Sequence, residues 1–193
     1  MPKAVLLSIQ PKWCEKIASG EKTVEIRKTK PKLETPFKCY IYCTLSGSNE
    51  FFHESLQGDV ARWNRGQWAD RKANVIGEFT CDKISIIRPK SITCDNPIKK
   101  ASCLTVQELI DYADTRDEHV YAWHISDLKI YRKPKLLKRF RNSCAEYEKD
   151  DPKCGNCDYY HSMGEYPAEC ACEGLKPMLR PPQSWCYVEE AKQ

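Results

Sequence analysis

Gly20-Glu21-Lys22-Thr23-Val24-Glu25-Ile26-Arg27 is the stretch on which the fold reading turns. Its glycine ends whatever precedes it, because glycine turns the backbone sharply at little steric cost. Val24-Glu25-Ile26-Arg27 then alternates apolar and charged residues, the period of two expected of a half-buried strand. In that alternation Glu25 and Arg27 share a face with Thr23, while Val24 and Ile26 face the other way. Lys22, Glu25 and Arg27 are thereby predicted to meet near the mouth of a barrel. A carboxylate between cations stays ionised and orients them, which makes a preformed polar patch for a phosphate or a base edge. On a convex strand the same trio is a surface ion-pair cluster of little energetic weight.

Outward from this stretch, Ala4-Val5-Leu6-Leu7-Ser8-Ile9 predicts a short buried strand. Pro11 suits the first turn of a helix that runs over 12–19 and stops at Gly20. Residues 38–44 are strand-like by their aromatic and β-branched content. Residues 74–87 alternate well and predict one long strand bent near Gly77. Between them, 45–71 lacks a sustained period and reads as a long loop, with Trp63 and Trp68 either pinning it or offering a stacking surface. Thr105 with Glu108 three residues later predicts a capped helix over 105–113. Residues 119–126 and 128–131 give two more strands, and Trp185-Cys186-Tyr187-Val188 a last one. Six or seven strands, two short helices and no βαβ alternation predict an α+β fold, a small mixed β-barrel.

The chain has 193 residues, of which 41% are hydrophobic and 30% charged, enough apolar material for a core and a length typical of one domain with an appendage. No apolar run approaches the ~20 residues of a membrane helix, and the apolar stretch near Met1 is too short for a signal-peptide core. A cytoplasmic protein with no membrane contact is expected. Charge is segregated: 11–38 has eight Lys/Arg against four Glu, and 127–141 has seven against Asp127 alone. Residues 142–193 hold ten Asp/Glu against five Lys/Arg. Basic segments suit a polyanion, because displaced counterions drive much of such binding. In 129–141, Lys129, Arg132, Lys133 and Arg139 are interleaved with Tyr131 and Phe140, the pattern of a backbone-tracking groove with stacking platforms. An amphipathic turn with Leu136, Leu137 and Phe140 facing inward fits the same residues.

The twelve cysteines form two populations. Cys14, Cys39, Cys43, Cys81, Cys94 and Cys103 are scattered, several within apolar strands, and read as small buried hydrophobes. Cys154-Gly155-Asn156-Cys157 offers two thiolates from one tight turn, and Cys144 upstream with Cys172 downstream completes four, the set for tetrahedral zinc. Cys170 is an alternative fourth ligand and His161 a rival. Residues 142–180 are almost devoid of aliphatic side chains before Leu175, so a structural Zn2+ would supply the folding free energy that burial cannot. A redox C-x-x-C does not fit, since no βαβ pattern surrounds it.

Gly20, Lys22, Glu25 and Arg27 together resemble the GxKxxExR signature of the ASCH domain, a family of the PUA-like β-barrel superfamily. Leu7-Ser8-Ile9-Gln10-Pro11 is similar to that family's opening strand and first helix, Val75-Ile76-Gly77-Glu78-Phe79 to its central strand, and Tyr121-Ala122-Trp123-His124-Ile125 to a late one. With its cysteine-rich insertion and its Pro-Pro-Gln-Ser-Trp-Cys-Tyr-Val-Glu-Glu tail, the chain looks like phage and prophage members. The resemblance implies a PUA-like barrel over 1–141, a zinc-binding insertion over 142–180 and a terminal strand over 181–193 that returns to the barrel. It also implies RNA as partner, held in a cleft lined by Gly20, Lys22, Glu25 and Arg27; a protein partner, docked on a surface built by zinc and cysteines, is a further possibility.

One branch of the family deacylates N4-acetylcytidine with a lysine, a threonine and a glutamate. Lys22 matches; Thr23 lies two places from the expected threonine, Glu25 stands where that hydroxyl should be, and residues 98–103 contain no acid. Lys22, Thr23 and Glu25 are therefore candidates for a small hydrolase acting on a modified nucleoside, with an incomplete constellation. Ribonuclease action would need a base and acid pair, such as Glu25 with Lys22 or His124.

Overall fold

The computed structural model describes residues 4–44, 75–93, 95–113, 119–142 and 178–190. The predicted loop over 45–71, with Trp63 and Trp68, lies outside the described residues. So do Cys94 and the whole predicted zinc set, Cys144, Cys154, Cys157, Cys170 and Cys172.

Seven strands and three α-helices are described, in the order β1 (Ala4–Ile9), α1 (Pro11–Ala18), β2 (Val24–Arg27), β3 (Phe37–Cys43), β4 (Val75–Ile87), α2 (Pro97–Ser102), α3 (Val106–Tyr112), β5 (Val120–Lys135), β6 (Phe140–Asn142) and β7 (Trp185–Glu190). All strands join one mixed sheet in the order β2-β5-β4-β3-β1-β7-β6. The β1–β3 pair is parallel and the other pairs are antiparallel. The sheet curls into a half-barrel of α+β type. Its curl brings the end of β2 back to the start of β7, where Trp185 Nε1 donates to Thr29 Oγ1 at 3.0 Å.

Both faces of β1 and β3 are covered, which is why these two strands read as nearly continuous apolar runs. Val5, Leu7 and Ile9 of β1 and Cys39, Ile41 and Cys43 of β3 enter the inner core, where α1 contributes Cys14 and Ile17. Leu6, Tyr40 and Tyr42 face the other way, onto Phe140, Leu137 and Met178. A third cluster packs Val24 and Ile26 of β2 against Leu109 of α3 and Val120 and Ala122 of β5. At Gly77 the register of the β4–β5 pair shifts, and the two backbones come close enough to need a glycine: a Cβ there would stand 2.6 Å from the Lys129 carbonyl of β5.

Three local features depart from expectation. Residues 119–126 and 128–131 are one strand, β5, because Asp127 takes a left-handed conformation (φ 48) that asparagine and aspartate tolerate, and pairing with β4 continues past it with shifted register. The helix α2 was not predicted; Asn96 caps it by accepting from Ile98 N at 2.9 Å, and Pro97 occupies its first position. The basic run beyond Tyr131 extends β5 to Lys135, then forms a 3-10 turn over Leu137–Arg139 and the short β6.

Candidate functional site

The site is built where α1, β2 and α2 meet. Ser19 closes α1, and Gly20 (φ +79) reverses the chain so that Lys22 N reaches back to Lys16 O at 2.8 Å. Thr23 N then bonds Ala101 O of α2, and this pins the start of β2 beneath that helix. Lys22 is driven inward and is only 2% exposed. Its ammonium donates to Ser102 O at 2.7 Å, one of the carbonyls that the end of α2 leaves without an intrahelical partner.

Glu25 bridges the two cations. Its Oε2 lies 3.4 Å from Lys22 Nζ and its Oε1 3.1 Å from Arg27 Nη2. Arg27 extends the network, donating from Nη2 to Ser8 O at 2.9 Å and from Nη1 to Ser184 Oγ at 3.3 Å. All three charged side chains are buried, so the trio is an interior network and not a surface cluster.

These residues form one wall of a cavity of about 580 Å³, within the ~300–1,000 Å³ of small-molecule sites. The end of β1 supplies Ser8 and Ile9, and the start of α1 supplies Gln10, Lys12 and Trp13. Leu104, Glu108 and Tyr112 enclose it from the α3 side, and Gln183 and Ser184 from the approach to β7. Trp13 lies beneath two cations, Lys12 Nζ at 4.4 Å and Lys22 Nζ at 5.1 Å from its ring centroid. Glu108 is tied into a capping box with Thr105; the backbone and hydroxyl donors of Thr105 hold its carboxyl below the usual glutamate range. Burial lifts the Tyr112 phenol above its ordinary value, with the Arg27 charge opposing and the Glu25 charge adding. Burial, with Cys43 alongside, pushes the Cys14 thiol well above its ordinary value, so it is held as a neutral core group.

Of the residues singled out in the sequence, Lys22, Glu25 and Arg27 are brought together on the cavity wall. Gly20 shapes the turn and is exposed, outside the lining. Thr23 is also exposed and outside the lining. His124 binds Ser85 Oγ at 3.0 Å and does not line the cavity. Lys129 and Arg132 are exposed and Arg139 half-buried, none of them in the lining; the Lys133 side chain is outside the described residues. Sequence reasoning missed Ser8, Trp13, Glu108, Tyr112 and Ser184. The Thr105–Glu108 capping box was legible, but nothing in it says which cavity α3 closes. No group of three or more His, Cys, Asp or Glu side chains suited to a metal occurs among the described residues. No described helix is long and apolar enough to cross a membrane.

No family model and no curated protein matches the chain. Solved structures do. The crystal structure of an ASCH protein from Zymomonas mobilis superposes with a TM-score of 0.54 at 17% identity, covering 96% of this chain and 87% of that one. Two mutants of the same protein match with the same score and identity, covering 90% and 88% of their chains. At that identity the likeness speaks for the architecture alone: the chain has the fold of an ASCH protein.

Proposed function

We propose that the chain is an RNA-binding module that admits one nucleotide unit of a strand into the cavity walled by Lys22, Glu25 and Arg27. The observation that carries this reading is the burial of two cations and a carboxylate on the wall of a cavity of nucleotide-accommodating size, with Trp13 beside them. Buried ions are costly unless paired or used, and here the pairing leaves a cationic excess facing a cavity. Lys129, Arg132, Lys133 and Arg139 serve as an outer phosphate track. The reading includes a phage or prophage setting, a cytoplasmic location and a structural zinc held by Cys144, Cys154, Cys157 and Cys172 or Cys170.

Filter binding of a random single-stranded RNA pool across a salt series tests it. Affinity should fall steeply with salt, and Lys22→Ala should weaken binding. Lys129→Ala with Arg132→Ala should lower the salt slope by about one for each phosphate that is no longer neutralised. Absence of affinity for any RNA at low salt overturns the reading. The hydrolase alternatives have less support: Thr23 is exposed outside the cavity, and His124 is engaged with Ser85. Turnover of an acylated cytidine, abolished in Lys22→Ala, would replace the binding reading by the catalytic one.

A further inference from the structure

We infer that the occupant of this cavity is anchored through a singly charged anion, a phosphodiester group, seated against Arg27 and Lys22; the inference rests on the RNA-binding reading and names the chemical part of the strand that the cavity takes. Two observations carry it. The buried trio consists of two cations and one carboxylate, so it holds one uncompensated positive charge. The other charged lining residues, Lys12 and Glu108, balance each other. An unneutralised charge in a low-dielectric wall is costly, and one anion removes the cost.

Donors outnumber acceptors in the same way. Arg27 is 6% exposed, and its Nε–H has no hydrogen-bond partner among the described residues. Lys22 Nζ has three N–H donors for two oxygen partners, Ser102 O and Glu25, with the Trp13 ring as its third neighbour. Both oxygens of Glu25 already hold a cation each. What the wall lacks is an acceptor with negative charge, and a nucleobase edge supplies at best a neutral carbonyl. A phosphodiester offers two non-bridging oxygens and one charge, matching an arginine and a lysine held side by side by a common carboxylate.

Isothermal titration of the full chain tests this with three probes: a dinucleoside monophosphate, its neutral methylphosphonate analogue and inorganic phosphate. The diester should bind at least tenfold more tightly than the methylphosphonate. In Lys22→Met, if its melting transition stays cooperative, the diester-to-methylphosphonate ratio should shrink severalfold. If Lys22→Met does not fold, the ratio in the unaltered protein decides. Equal affinity for the diester and the neutral analogue overturns the inference and leaves RNA binding intact, with the base as the recognised part. Inorganic phosphate binding as tightly as the diester assigns the site to a free anion and overturns the RNA source. Absence of binding by every probe, with RNA pools still retained on filters, places RNA elsewhere on the surface and overturns the inference.

Discussion

Arg27 Nη2 on β2 donates to Ser8 O on β1 at 2.9 Å, joining two strands between which β5, β4 and β3 intervene in the sheet order. No ladder connects them; a side chain does. The cation that faces the cavity is therefore also a strut of the half-barrel, and its removal should be felt in stability as well as in binding.

Arg27→Ala leaves Glu25 with one cation and strips the donor from Ser8 O. Breaking a buried pair in this way costs ~3–5 kcal/mol. A urea titration should show the midpoint fall accordingly. Arg27→Lys should recover little, because one ammonium cannot serve Ser8, Ser184 and Glu25 in the planar fork that arginine presents. A loss under ~1 kcal/mol would show that the strut is dispensable.

Gly77→Ala should destabilise by roughly 1–3 kcal/mol, as overpacking does, because the new methyl meets the backbone carbonyl of Lys129 at 2.6 Å and a backbone cannot rotate aside. Thermal melts of the variant decide the point: an unchanged melting temperature means that the two strands slide apart freely.

Thr105→Ala should cost ~1 kcal/mol, the typical loss of an N-cap, since its hydroxyl accepts from Glu108 N at 3.1 Å. The loss should depend on pH. Thr105 donors hold the Glu108 carboxyl below its unfolded value of ~4.3, so this part of the stability is present above that value and disappears as pH falls through the lower folded value. The gap between wild type and variant should therefore narrow on acidification below about pH 4. Denaturant midpoints at neutral pH and at about pH 3 measure it; a gap that stays constant shows that the backbone donor, which alanine keeps, and not the hydroxyl carries that linkage.

His124 gives linkage of its own. Burial, with Lys83 nearby, depresses its pKa below the ordinary ~6.5. The unfolded chain then binds more protons than the folded one between the two values, so stability should fall as pH drops below about 6.5 through the lower folded value. His124→Gln should flatten that slope, and an undiminished slope in the variant points to another group.

The cysteine pattern predicts one zinc per chain after purification without chelator, with loss of metal in a Cys154→Ser, Cys157→Ser double variant. Metal analysis reads both, and a fully folded chain containing no metal removes zinc from the account.

Much of the architecture was legible because it rests on local chemistry. Ala4–Ile9 and Phe37–Cys43 announce themselves as apolar runs, and Pro11 and Gly20 bracket the first helix. The continuation of β5 through Asp127 was not, because a polar residue between two apolar runs reads equally as a turn or as a left-handed irregularity within a strand. Helix α2 was written in Asn96 and Pro97, but six residues give too little periodicity to reveal it. The cavity divides the same way. Lys22, Glu25 and Arg27 share one short strand and its approach, so their spacing groups them. Ser8, Tyr112 and Ser184 join them only through tertiary interactions such as the bond that Arg27 donates to Ser184, 157 residues apart in sequence, and no local pattern encodes those.

The pairing of Val5 with Tyr187 sets the order in which the molecule can be assembled. On a translating ribosome β1 emerges before every other described strand, yet its neighbour on one side is made after all of them. Until that neighbour arrives, one side of β1 exposes an open ladder, and the nascent barrel must wait with an unfinished wall beside Ser8.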